Sequence, residues 1–155
     1  MNKKYSAEIP QMIVNTAPRI TLNYGAYEVS EEEMQTLWDE QRGELSDMPD
    51  TPDKWFREEH RWGYNELMIP MGQWSYGGVV NAIIRDKYRS DEMEAITNNM
   101  AAINAVFMQT LVTEGLMAAT KYLKDSVNDA NATRFKEMQE WRQAAKDIAK
   151  QVVKS

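Results

Sequence analysis

Glu58-Glu59-His60 holds the single histidine of the chain, and histidine beside carboxylates is common material for general acid–base catalysis. On a helix, however, three consecutive side chains point about 100° apart and do not converge. The expectation is a surface histidine beside two solvated glutamates. With one histidine and no cysteine, two-histidine zinc sites, thiolate nucleophiles and disulfides are all excluded. Glu32, Glu33, Asp39, Glu40, Glu58, Glu59 and Glu66 offer acid pairs of the kind that hydrolyse glycosides, with Trp62 and Trp74 as a sugar floor. Nothing in their spacing singles out a pair, so a hydrolase resting on Glu58 or Glu66 is the weakest reading. Asp47, Asp50 and Asp53 lack the glycine and closing glutamate of a calcium loop. Gly77-Gly78 reads as a tight turn into Val79, not as a phosphate cradle. No catalytic residue, metal ligand or cofactor is expected.

What the chain has instead is aromatic density. Trp55, Phe56, Trp62, Tyr64, Trp74 and Tyr76 crowd a segment broken by Gly63 and Pro70. Rings this close together either pin an irregular segment to a small core or anchor a partner. The second choice makes these six residues the candidate partner-binding set. An alternative is a carbohydrate- or peptide-binding module that uses them as a stacking platform. Eleven methionines accompany them, and those at helical spacing are expected in the core.

The chain has 155 residues, 43% of them hydrophobic and 27% charged, a composition suited to one globular domain. Its net charge of −6 is uneven. From Glu28 to Glu66 there are 13 acidic residues against 4 basic ones, whereas Tyr76 to Ser155 is nearly balanced. An acidic middle repels phosphate backbones, so no nucleic acid is expected there. No apolar run is long enough to span a membrane, and no signal peptide is expected.

Residues 1–29 read as extended. Ile20, Leu22 and Tyr24 alternate with polar residues, Asn15-Thr16-Ala17-Pro18 reads as a turn, and Gly25 marks a bulge. Ser30 and Glu33 form a capping box for a helix with Met34, Leu37 and Trp38 on one stripe, stopped by Gly43. Thr51-Pro52 reads as a cap and first turn, and Gly63 to Gly78 as irregular or kinked. A periodic stretch from Ser90 reaches Leu123, with Asn98-Asn99 as the favoured break. Lys124 to Asn131 reads as a turn. A final helix from about Ala132 carries Phe135, Met138, Trp141, Ala145, Ile148, Ala149 and Val152 inward.

Tyr88-Arg89-Ser90-Asp91-Glu92-Met93 and Glu137-Met138-Gln139-Glu140-Trp141-Arg142 resemble the ends of small structural or assembly proteins of tailed bacteriophages and prophages. In those, a short helix precedes a closing aromatic–Arg–x–x–Ala–Lys helix, matched by Trp141, Arg142, Ala145 and Lys146. The resemblance covers about a quarter of the chain. It implies a virion or assembly component, located in a bacterial host's cytoplasm or within a phage particle. It transfers no functional residue.

The expected fold is mainly α: a helical domain at 30–155 with a short N-terminal β element or extended arm at 1–29. The expected role is non-catalytic, with partners that are proteins, met by self-association or within a larger assembly. In that role the Ile9–Val29 arm would add strands to a neighbour.

Overall fold

The computed structural model describes residues 1–44, 47–126 and 130–153. These form two compact units, Met1–Trp74 and Ser75–Ser155.

The first unit overturns the mainly α expectation. Its centre is a four-stranded antiparallel sheet of β1 (Asn2–Ser6), β2 (Ile13–Thr16), β3 (Arg19–Glu28) and β4 (Trp62–Pro70), in the order β1-β4-β3-β2. With six helices among the described residues, the chain is mixed α/β. The N-terminal strands are therefore no free arm, because β4 of the same chain pairs with β1 and β3, and β3 pairs with β2. Hairpin β2–β3 closes at the expected turn, with Thr16 opposite Arg19 and Asn15 Oδ1 accepting the Ala17 N–H at 3.1 Å. β3 and β4 pair Ile20 with Ile69 and Leu22 with Leu67, burying one apolar face. The expected bulge falls between Tyr24 and Tyr27, where Gly25 takes φ +66°.

β4 occupies the segment whose Gly63 and Pro70 suggested irregularity. Pro70 is the last residue of the strand, a position where a missing amide costs little. Gly63 is tolerated inside the strand because the Tyr27 ring lies over it. Two helices complete this unit. Ser30 Oγ accepts the Glu33 N–H to start α1 (Glu31–Arg42), and Gly43 ends it at φ +56°. Asp53, not Thr51, caps α2 (Lys54–Glu59) by accepting the Phe56 N–H at 2.8 Å. Met34, Trp38 and Phe56 form a core cluster against which Val29, Leu37 and Met48 pack. Each such fully buried side chain contributes about 1.5–3 kcal/mol.

The second unit is helical: α3 (Tyr76–Lys87), α4 (Ser90–Glu114), α5 (Leu116–Ser126) and α6 (Ala130–Val152). Ser75 caps α3 by accepting the Gly78 N–H, so Gly77 and Gly78 lie inside its first turn and not ahead of it. α3 and α4 each pack on α6, and α4 also packs on α5. The α6 stripe is as expected, with Met138, Ala145 and Ala149 fully buried. The Trp141 indole N–H donates to the Ile83 carbonyl at 3.0 Å, tying α6 to α3. α4 runs straight through Asn98-Asn99. The break comes at Gly115, with φ +92° and ψ 178°, a conformation that side chains other than glycine avoid. α5 continues to Ser126 and α6 begins at Ala130, so both ends of the turn expected over Lys124 to Asn131 are helical, and its middle, residues 127–129, lies outside the described residues.

Candidate functional site

The most organised polar group in the chain is one that spacing did not reveal. Glu33 Oε1 accepts the hydroxyls of Tyr27 at 2.7 Å and of Tyr5 at 2.9 Å, and Lys3 Nζ stands 3.7 Å away. Lys3 also lies over the Tyr27 ring, 5.0 Å from its centroid. Three elements thus converge on one carboxylate: β1 brings Lys3 and Tyr5, β3 brings Tyr27, and α1 brings Glu33. Burial pushes the Glu33 carboxyl up, but the Tyr27 and Tyr5 hydroxyls and the Lys3 charge outweigh it and hold the pKa below the ordinary value. Tyr5 moves the other way, its hydroxyl pKa raised first by burial and then by Glu33. The capping box is therefore half used: Ser30 caps, while the Glu33 side chain serves the sheet. Such a knot fastens α1 to two strands.

His60 does not stand among solvated glutamates as expected. It is half-buried at the end of α2, stacked on Phe56 with ring centroids 3.9 Å apart. The Tyr5 ring is tilted to it with centroids 5.7 Å apart, and Nδ1 is 2.8 Å from the Phe56 carbonyl oxygen. Its role is aromatic packing between α2 and β1. The hydrolase candidates are not brought into a shared site. Glu58 pairs along α2 with Lys54 at 3.8 Å, whereas Glu66 accepts from Asn2 Nδ2 across the β1–β4 pair at 3.3 Å. Among the described residues, no three His, Asp or Glu side chains gather as a metal site.

The six aromatic residues divide by position. Trp55 is 64% exposed on α2, and its neighbour Phe56 is 1% exposed, edge-on to Trp38 at 5.0 Å. Phe56 is thus a core residue with no surface to offer a partner. Trp62 and Tyr64 are half-buried and, two apart on β4, point to the same side of the sheet. Trp74 is half-buried after the 3-10 turn Met71–Gln73, and Tyr76 is exposed at the start of α3.

The apolar side chains with the highest fractional exposure lie elsewhere. Val112 is 82% exposed, Leu116 69% and Met117 89%, all clustered at the α4–α5 elbow around Gly115. Met108 is also exposed, so the core expected for the helical methionines holds for Met138 but not for Met108 or Met117. Leu116 and Met117 border a groove with Thr120, Lys121, Lys124 and Asp125. A second groove, of about 330 Å3, runs beside the start of α4 between Asn81 and Arg85 of α3 and Arg142 of α6. Periodicity assigned the whole apolar stripe to one buried face. Of the three elbow residues only Leu116 belongs to that stripe, and it lies beyond the break at Gly115; Val112 and Met117 lie off it.

Compared with known protein families, curated proteins and solved structures, the chain matches none of them. Among the described residues, no helix is long and apolar enough to cross a membrane.

Proposed function

We propose that this chain is a non-catalytic protein-interaction component of a larger assembly, of the kind implied by its resemblance to tailed-phage structural and assembly proteins. The observation that carries this reading is the projection of Val112, Leu116 and Met117 into solvent. Isolated exposed apolar residues are ordinary, but three large ones at one elbow favour burial against another polypeptide. Trp55 and Tyr76, also exposed, remain partner-facing candidates from the aromatic set, with Trp62, Tyr64 and Trp74 partly available. The polar residues do not favour chemistry as strongly: the most perturbed carboxylate, Glu33, is occupied by two tyrosines and a lysine.

The test is the size at which the chain travels in a gentle lysate of the cells that make it. The expected result is a complex clearly larger than the purified chain run on the same column. Co-migration with the purified chain would overturn the reading.

A further inference from the structure

Lys87 ends α3 and makes no ion pair among the described residues. Its ammonium lies instead over aromatic rings, 4.7 Å from the Trp141 ring centroid and 5.5 Å from that of Tyr88. Both distances fall inside the roughly 6 Å over which a ring face attracts a cation. Trp141 is oriented independently of the lysine it carries, because its indole N–H donates to the Ile83 carbonyl at 3.0 Å. Tyr88 closes α3, donating its backbone N–H to the Ile84 carbonyl at 2.9 Å.

The surroundings favour positive charge. A groove of about 390 Å3, within the size range of small-ligand sites, is lined by Lys87 of α3 and by Glu137, Glu140, Trp141 and Ala144 of α6. Glu137, Trp141 and Ala144 recur at spacings of four and three, and so share one face of α6. Glu140 has Lys136 at 4.0 Å, whereas Glu137 has no ion pair among the described residues. Burial and then the Glu137 charge raise the Tyr88 hydroxyl pKa, with Arg134 opposing them, which sets that carboxylate close to the ring. The C-terminus of α3 adds the negative end of its dipole. The lysine is an imperfect occupant of such a place. A primary ammonium keeps all its N–H donors and a tight hydration shell, and aromatic faces satisfy those donors only weakly.

We infer that this groove is a binding site for a quaternary ammonium group, for which the Lys87 ammonium is a tethered competitor. Trp141 and Tyr88 take the N-methyl groups, and Glu137 supplies the countercharge. A quaternary nitrogen has no N–H to leave unsatisfied, so rings and a carboxylate meet all of its needs. Lys87 is exposed and moves out to solvent at little cost. Such a site is separate from the apolar elbow and stands or falls without it.

The probe is tetramethylammonium chloride, titrated into the full chain at constant ionic strength against sodium chloride. Lys87→Ala removes the competitor at an exposed helix end, where alanine is well tolerated. With this variant the probe's methyl proton signal should move upfield and saturate, because ring faces shield the protons above them. Lys87→Ala should bind it about fivefold or more tighter than the unaltered chain. Adding Glu137→Gln, also at an exposed position, should weaken that binding by about threefold. The site is overturned if Lys87→Ala gives no saturable shift, or if it and the unaltered chain bind alike. It is equally overturned if adding Glu137→Gln leaves binding unchanged. Competition by choline, or by a peptide carrying trimethyllysine, supports the site and distinguishes a free ligand from a modified protein; failure of both to compete overturns it.

Discussion

The Tyr27 ring lies across the bare α-carbon of Gly63. A Cβ built on that glycine would stand 2.6 Å from Tyr27 Cζ and 2.7 Å from its hydroxyl oxygen. The same hydroxyl is committed to Glu33, so the ring end has no free direction in which to yield. Gly63→Ala should therefore displace Tyr27 from Glu33 and cost about 1–3 kcal/mol in urea unfolding. Adding Tyr27→Ala should recover part of that loss by opening the space. A Gly63→Ala chain as stable as wild type would show that the ring's position is not constrained from below.

Glu33 makes the stability of the first unit sensitive to acid. Its carboxyl titrates below the ordinary value, so the native state holds it ionised more firmly than the unfolded chain does. The stabilisation is complete above the unfolded carboxylate pKa and is lost as pH falls through the lowered folded value. Glu33→Gln keeps an acceptor for the tyrosines but removes the charge, and should cost about 1–2 kcal/mol at neutral pH. Urea midpoints measured down the acid limb should bring the two proteins together as pH falls; a constant gap would refute the assignment.

Trp55 and Phe56 are adjacent in the chain and opposite in environment. Phe56→Ala empties a site between Trp38 and His60 and should cost about 3–5 kcal/mol. Trp55→Ala should change stability by less than about 0.5 kcal/mol, as exposed substitutions do. Thermal unfolding of the two variants separates ring-as-core from ring-as-surface within a single turn of α2.

Gly115 has no atom within 4 Å of the place where a Cβ would sit, so any cost of substituting it is conformational. At φ +92° and ψ 178°, Gly115→Ala should cost roughly 1–3 kcal/mol. Relief is available by straightening the elbow into continuous helix, which would raise helical circular dichroism slightly. Unchanged stability and unchanged helicity would together contradict the observed bend.

Several local devices were legible in the residues themselves. The period-2 run at Ile20, Leu22 and Tyr24, the bulge at Gly25, the Ser30 cap, the Gly43 stop and the α6 stripe all have short-range causes. What was not legible depends on partners far along the chain. Asn2–Ser6 has no apolar alternation and becomes a strand because β4 lies beside it. β4 in turn was obscured by Gly63 and Pro70, whose disruptive tendencies are cancelled by the Tyr27 ring and by the strand's end. Asn98-Asn99 was given more breaking power than it has in a helix packed on two others. Glu33 had an adequate local role as a capping residue, which hid its bonds to tyrosines 6 and 28 positions away.

The sheet order has a consequence for birth of the protein. Asn2 pairs with Glu66 and Ser6 with Trp62, so β1 must wait for β4 to be synthesised before it can dock. Hairpin β2–β3 meanwhile closes on its own neighbours, leaving β1 without its β4 partner through more than fifty residues of synthesis. Lys3 and Lys4 charge that strand during the wait, a safeguard against sticking to other nascent chains.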